Sequence, residues 1–358
     1  AKAYEMLRKA RSMQGFEQAQ AAMDLLERLS LKGARSKLKA AWQKRLLDGS
    51  GGASAVCFLP DGMIFSGHAD KTVRLWDASG ALIWSQAGHA APVRAVCAAL
   101  DGKSALSASA DGTLRQWDMG TGACVRAFVG HAGAVNSLCA SANGKILSAS
   151  DDKTLKLWDL ATGKLEKSIP AHEGAANAAS LSPDGSRAVS GGADKTLKIW
   201  DIAKGQTSKV LEGHGLAVRT ARLSPDGRKA RSGGEDKVLR SWALDSGVCQ
   251  QPMNHFGPVR SACFSPDGRF ALSAGDDKVM RLWDIESGKQ VRSFEGHWAG
   301  ISSVDVSPQA RYAVSAGADG IRVWELDWDY VFPEPADWSD GAKPYAGYFL
   351  SGLKSRKP

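Results

Sequence analysis

No stretch of the 358-residue chain reaches eighteen consecutive apolar residues, and the N-terminus, AKAYEMLRKARSMQGFEQ, has no apolar core of the kind a signal peptide carries. Neither a membrane-spanning helix nor a secretory leader is expected, and a cytoplasmic protein with no membrane partner is. Cysteine is scarce, with six residues and no C-x-x-C pair, so neither a zinc-ribbon nor a dithiol redox motif is present. P-loop, dinucleotide-fingerprint and H-E-x-x-H motifs are missing too, which predicts no enzyme, no cofactor and no metal. Acids are the minority charge: 38 Asp and Glu against 46 Lys and Arg leave a formal net charge of +8, an excess of the sign that attracts polyanions. The chain begins at Ala1 rather than Met, from which a piece of a longer polypeptide is expected.

What the chain has in abundance is self-similarity. Trp76, Trp117, Trp158, Trp200, Trp242, Trp283 and Trp324 recur at intervals of 41 or 42 residues. Six residues before each of the first six lies Asp70, Asp111, Asp152, Asp194, Asp236 or Asp277, and Asp319 lies five before the last. Four residues before each Asp is a serine: Ser66, Ser107, Ser148, Ser190, Ser232, Ser273 and Ser315. His89, His131, His172, His214, His255 and His297 stand 27 or 28 residues before their Trp, and Ser50 is nearest that place in the first copy. Each copy also holds apolar segments of strand length, such as AVCFLP and TVRLWD, broken by turn tetrads such as SPDG. Four short strands in a period near 41 residues specify one blade of a propeller.

The pattern GH…SPDG…S-x-x-x-D-K-T-L-K-L-W-D resembles the WD-repeat family over about Lys39 to Glu325. That resemblance implies an all-β, seven-bladed propeller of four-stranded antiparallel sheets around a central channel. A ring of blades has to be closed, because an open end leaves a sheet edge unpaired. AAWQKRLLDGS, Ala40 to Ser50, matches the segment before later GH positions and precedes the first complete repeat. Trp42–Leu47 is therefore expected to be the outer strand of blade seven, completing strands drawn from Gly300 to Glu325; an eighth, partial blade is the alternative. The domain division that follows is a helical lead-in over 1–39, the propeller over 40–325 and an aromatic-rich extension over 326–358.

A serine, a histidine and an aspartate in one blade, for instance Ser190, His172 and Asp194, have the composition of a hydrolase triad. Their recurrence in blade after blade points instead to structure. In WD-repeat proteins the similar set forms a buried hydrogen-bond chain from the Trp indole through Ser and His to the Asp of a tight turn, which satisfies polar groups that burial would otherwise strand. The repeated histidines fall in different blades and so cannot surround one ion. His68, outside the pattern in the copy that lacks the usual His, reads as a loop residue, with partial substitution for the missing His as the alternative. Cys57, Cys97, Cys139 and Cys263 share one repeat position and Cys124 and Cys249 another, so all six are expected to be reduced, small hydrophobes in packing slots.

The flanks differ in texture. Tyr4, Leu7, Ala10, Ala22, Leu25, Leu26 and Leu29 have helical spacing with breaks at Gly15 and Gly33, which predicts two amphipathic helices, either capping the propeller or ending a linker from an upstream domain. The tail carries Trp328, Tyr330, Phe332, Trp338, Tyr345, Tyr348 and Phe349, too many aromatics for a free linker, and Asp337 or Ser339 is placed to cap a short helical turn. The helical lead-in, uniform repeats and WELDW ending together resemble C-terminal regions of bacterial multidomain signalling proteins.

With no catalytic group singled out, function falls to the loops, and a fold alone does not name a ligand. In the family, partners often dock on the face with the GH loops and Asp turns. Five residues after each His come Arg94, Asn136, Asn177, Arg219, Arg260 and Ser302, with Ser54 matching in the first copy. Blades five to seven carry Arg219, Arg260, Glu235 and Asp276, with Phe256 and Trp298 just after the His, where blades two to four have Ala90, Ala132 and Glu173. Arginine and exposed aromatics are enriched at interface hot spots, so this sector is the expected partner site, for a protein or peptide. Nucleic acid is the alternative partner, suggested by the net charge. Blade five is also the deviant copy, with Arg222, Arg231, Ser241 and Ala243 where other copies keep small, apolar or acidic residues; a local network with Glu235 or Asp245, or simple drift, would account for it.

Overall fold

The computed structural model describes residues 34–47, 52–99, 101–250 and 252–331. They form β1 (Ala34–Leu47) and then six blades of four consecutive strands. Blade one is β2 (Ala53–Phe58), β3 (Ile64–His68), β4 (Thr72–Trp76) and β5 (Leu82–Ala87), and blade two is β6 (Val93–Ala98), β7 (Ser104–Ser109), β8 (Thr113–Asp118) and β9 (Cys124–Val129). Blade three is β10 (Val135–Ala140), β11 (Lys145–Ser150), β12 (Thr154–Asp159) and β13 (Leu165–Pro170), and blade four is β14 (Ala176–Leu181), β15 (Arg187–Gly192), β16 (Leu197–Asp201) and β17 (Gln206–Leu211). Blade five is β18 (Val218–Leu223), β19 (Lys229–Gly234), β20 (Val238–Ala243) and the short β21 (Met253–Asn254); blade six is β22 (Val259–Phe264), β23 (Phe270–Gly275), β24 (Met280–Asp284) and β25 (Gln290–Phe294). Blade seven takes β26 (Ile301–Val306), β27 (Tyr312–Gly317) and β28 (Gly320–Val331) from the end of the chain and β1 from its beginning, in the order β1-β28-β27-β26.

This is a seven-bladed, all-β propeller closed by the N-terminal strand, with every described strand in a four-stranded sheet. Two boundaries differ from the sequence reading. β1 starts at Ala34 rather than Trp42, within the segment assigned to the lead-in, and β28 continues to Val331. The chain divides compactly at these elements, with the ring itself spanning Trp42–Glu325. The two amphipathic helices expected over residues 4–29, and the helical turn expected near residue 339, lie outside the described residues. Among the described residues no helix is long and apolar enough to cross a membrane.

The core is a series of seams between neighbouring blades. Alternation puts every second side chain of a strand on one face, so Cys139, Leu147 and Leu157 of blade three meet Leu181, Ala188 and Ile202 of blade four in one buried cluster. The innermost strands β2, β6, β10, β14, β18, β22 and β26 surround a channel of about 460 Å³. Side chains tie adjacent innermost strands together: the Val56 amide donates to Ser303 Oγ at 3.2 Å, the Phe58 amide to Asp305 Oδ2 at 2.8 Å and the Ala179 amide to Ser137 Oγ at 3.2 Å.

The tight turn of most blades is an Asx turn. Thr72, Thr113, Thr154 and Thr196 donate backbone N–H to the Oδ1 of the Asp two residues before, at 2.9–3.2 Å. The intervening residue sits at positive φ, from 63° to 73° for Lys71, Lys153, Lys195, Lys237 and Lys278, and at 80° for Gly112. Blade seven likewise has a glycine after its turn Asp, Gly320 at 107°, and a side chain at Gly112 would approach the His131 carbonyl oxygen to 3.1 Å.

Candidate functional site

In blades two to seven the repeated Trp, Ser, His and Asp come together across three strands. The Trp indole N–H donates to the Ser hydroxyl at 2.7–2.9 Å. That hydroxyl lies 2.7–2.8 Å from His Nε2. His Nδ1 lies 2.6–3.0 Å from the Asp carboxylate in five of these blades and 3.4 Å from it in blade six. In blades two to four and seven a neutral ring protonated at Nδ1 satisfies each group in turn: indole to hydroxyl, hydroxyl to Nε2, Nδ1–H to carboxylate. Blades five and six add a guanidinium, since Arg240 and Arg281 each donate to the Asp and to His Nδ1.

Burial sets the protonation states. It pulls all six of these imidazoles below their usual pKa, more strongly than the neighbouring Asp can raise them. Burial alone would raise the Asp111 carboxyl, but hydrogen bonds from Thr113, from the amides of Ala90 and Thr113, and from His89 hold it at about 2. The serines of these chains are fully buried. A nucleophile with no access to substrate, whose oxygen already accepts an indole N–H, cannot open an acyl group, so the triad-like composition carries no hydrolysis.

Blade one solves the same problem differently, and here the sequence reading is corrected. His68 is not a loop residue. It ends β3, is completely buried, and presents Nε2 to Ser66 Oγ at 2.9 Å, while Trp76 Nε1 donates to the same oxygen at 2.8 Å. It fills the histidine role from two residues along its own strand. Its Nδ1 has no hydrogen-bond partner among the described residues, and Asp70 instead receives Arg74 Nη2 at 2.5 Å. Burial, helped by Arg74, pulls the His68 pKa down to about 4.

In blades two to seven the Asp of the tight turn has a second task that bears on recognition. Its carboxylate accepts the backbone N–H of the residue after the His, as in Phe256 to Asp277 at 3.2 Å and Trp298 to Asp319 at 3.0 Å. The backbone is thereby held while the side chain projects: Phe256 is 86% exposed and Trp298 70%. Arg281 lies beneath Phe256, with its guanidinium 5.6 Å from the ring centroid. Leu216, 48% exposed in the loop before β18, adds a third apolar side chain. The repeat frame does not point to it, because it stands one place further from its His.

Beside these loops the ring of residues five after the His lines the channel: Ser54, Arg94, Asn136, Asn177, Arg219, Arg260 and Ser302. Arg219 donates to Glu235 through Nε at 2.9 Å and also through Nη2, and Arg260 grips Asp276 through Nε at 2.9 Å and Nη2 at 2.7 Å. Arg94 reaches Asn136 and Asp151. All three arginines of this ring therefore carry an acid partner, which lowers the attraction of the channel mouth for a polyanion.

Of the cysteines, Cys57, Cys97, Cys139 and Cys263 also line the channel, and burial pushes all four thiols up, Cys139 to about 11. Cys124 and Cys249 are exposed, so the packing-slot reading fails for this pair: Cys124 opens the outer strand β9, and Cys249 forms an isolated bridge to Trp242 ahead of β21. All six are free. Ellman's reagent on the native protein is expected to titrate Cys124 and Cys249 quickly and the four channel thiols only after denaturant is added; four or more fast thiols would contradict this placement. Among the described residues no group of His, Cys, Asp or Glu is arranged to hold a metal ion.

Comparison with known proteins identifies the repeat itself. The description "WD domain, G-beta repeat" matches residues 42–77, 80–118, 122–159, 163–201, 205–243, 247–284 and 288–325. The chain belongs to the WD-repeat family. Among curated relatives the chain is 43% identical over 63 residues to nuclear distribution protein nudF 2 of Penicillium rubens and 44% identical over 64 residues to nuclear distribution protein PAC1 of Tuber melanosporum. These matches cover 17% and 18% of this WD-repeat chain and 14% of each relative, about one and a half repeats. Both relatives are fungal, and the resemblance to bacterial multidomain signalling proteins draws no support from them.

Proposed function

We propose that this WD-repeat propeller is a non-enzymatic interaction scaffold, a regulatory part of a signalling assembly, and that it takes a protein or peptide on the face of blades five to seven. The observation that carries this reading is the alignment of Leu216, Phe256 and Trp298 in three consecutive loops, where blades two to four have Ala90, Ala132 and Glu173. Large apolar side chains held out by a pinned backbone, with bidentate Arg–acid pairs alongside, have the make-up of a hot spot and its polar rim. Arg219, Glu235, Arg260 and Asp276 supply directional hydrogen bonds rather than net charge, which favours a peptide over nucleic acid.

The test is capture from source lysate, with and without nuclease, using the intact protein and an Arg219→Glu, Arg260→Glu, Trp298→Ala triple variant whose fold is checked by circular dichroism. A protein partner should survive nuclease and bind the variant at least about 30-fold more weakly, as expected when hot-spot contacts of about 2 kcal/mol are removed. Equal capture by the variant would make this sector idle. Loss of capture on nuclease treatment would replace the peptide reading with a nucleic-acid one.

A further inference from the structure

The fifth residue of every innermost strand lines the channel. In five blades it is small and uncharged: Cys57, Cys97, Cys139, Ser180 and Cys263, with burial keeping the four thiols protonated. Blade five has Arg222 in this place and blade seven has Asp305, so one cation and one acid are the charges at this level. Arg222 stands opposite Arg231 in register, yet the two side chains part. Arg231 is completely buried in the seam, where Nη1 contacts Met253 Sδ at 3.0 Å. Glu235 is held by Arg219 and Asp245 by Arg187, so the network expected with either acid is not formed. Arg222 enters the channel instead. Its charge is felt at the thiols of blades one, two, three and six and at Asp305 of blade seven, which puts the guanidinium toward the middle of the channel rather than along one wall.

Side chains at this level also serve the backbone of the next blade. Asp305 Oδ2 accepts the Phe58 amide at 2.8 Å, Cys139 Sγ the Leu181 amide at 3.2 Å and Ser180 Oγ the Leu223 amide at 3.2 Å, each from the sixth residue of the neighbouring innermost strand. A guanidinium has donors only, so Arg222 cannot do the same for Phe264, the matching residue of blade six. Among the described residues the Arg222 guanidinium itself meets no acceptor and forms no ion pair with Asp305. Phe58, Leu181, Leu223 and Phe264 add an apolar collar to the same stretch of the channel.

We propose that the channel binds a small zwitterion of the amino-acid type, with its carboxylate on the Arg222 guanidinium, its ammonium on the Asp305 carboxylate and an apolar side chain against the collar. Arg222 and Asp305 present opposite charges to one cavity from blades five and seven. A ligand that carries both signs gives each a charge-assisted partner and brings no net charge into a confined space. A simple anion would meet Asp305, and a simple cation would meet Arg222, so each is the poorer match. The Phe264 amide, which blade five leaves without a side-chain acceptor, is a second donor for the carboxylate. The channel volume of about 460 Å³ falls within the span of small-molecule sites, and an apolar lining with a few polar groups is their usual make-up.

The experiment is thermal unfolding of the full chain at pH 7 and constant ionic strength. The probes are L-leucine, L-phenylalanine and the two halves of leucine, 4-methylpentanoate and 3-methylbutylamine. At least one of the two amino acids should give a saturable rise, about 2 °C at ten times the dissociation constant. Each half of leucine lacks one charge-assisted contact and should bind at least about tenfold more weakly than leucine. Arg222→Gln and Asp305→Asn should each weaken amino-acid binding by at least about tenfold, and calorimetric titration reads that affinity even where a substitution moves the melting temperature by itself. The proposal is overturned if neither amino acid gives a saturable rise at tens of millimolar, if 4-methylpentanoate binds as tightly as leucine, or if the response survives Arg222→Gln.

Discussion

Lowering the pH from 7 to 4 is expected to destabilise this protein by several kcal/mol, with most of the loss between pH 6.5 and 4. Every histidine of the blades is held neutral by burial, so its folded pKa lies below the 6.5 of an exposed imidazole. Below pH 6.5 the unfolded chain therefore binds more protons than the folded one, and stability falls with pH until each folded pKa is passed. His68, whose pKa is about 4, accounts for about 3 kcal/mol of this by itself, because each tenfold loss of proton affinity corresponds to about 1.4 kcal/mol. A second phase follows below about pH 4. There Asp111, Asp152 and Asp277, each held at about 2, must take up protons that they accept more readily once unfolded. Urea unfolding at a series of pH values measures both phases, and His68→Gln should reduce the first by about 3 kcal/mol. Stability that stays level from pH 7 to 4 would show that the imidazoles take up protons in the fold as readily as in the unfolded chain, contrary to the chain of donors and acceptors described above.

The second large effect is at Ser190. Its hydroxyl receives the Trp200 indole N–H at 2.8 Å and faces His172 Nε2 at 2.8 Å, with all three residues buried. Ser190→Ala strands both partners at once, and since a buried polar group left without a partner costs about 1–3 kcal/mol, the loss should be about 2–5 kcal/mol. The chain also spans blade four from the loop before β14 through β15 to β16, so its loss loosens three strands rather than one contact. The same change at Ser66 should cost less, because His68 already leaves Nδ1 unpartnered and no Asp completes that chain. Denaturant midpoints of the two variants at pH 8 give the comparison. An equal loss at both would mean that the indole–hydroxyl bond alone matters.

Fold and framework were legible in the primary structure because a repeat states its rule seven times. The interval of 41 or 42 residues between tryptophans sets the blade, and the fixed offsets of Ser and Asp locate the middle strands and their tight turn. Trp42–Leu47 was readable as the closing strand because it matched the outer strand of later copies. Departures from the rule were harder. His68 lies outside the frame, and only the packing of β3 shows that its ring reaches Ser66. Cys124 and Cys249 share a repeat position, yet that position is at the outer edge of the blade, opposite Trp117 and Trp242, where periodicity does not distinguish a covered slot from an open one.

The sequence by itself determined the number of blades, the closing strand and the places of the Trp, Ser, His and Asp in blades two to seven, since all of these rest on local period and on residues a fixed distance apart; the hydrogen-bond chain they form was what the resemblance to the WD-repeat family implied. Only the tertiary structure decided which side chains face a partner and which face another blade. Arg219 and Arg231 lie twelve residues apart in the same copy and look alike as letters. One is partly exposed at the channel mouth and held by Glu235, and the other is sealed between blades five and six with two nitrogens that find no partner among the described residues. Burial and pairing depend on residues of the neighbouring blade, some forty positions away along the chain, and that proximity arises only when the ring closes.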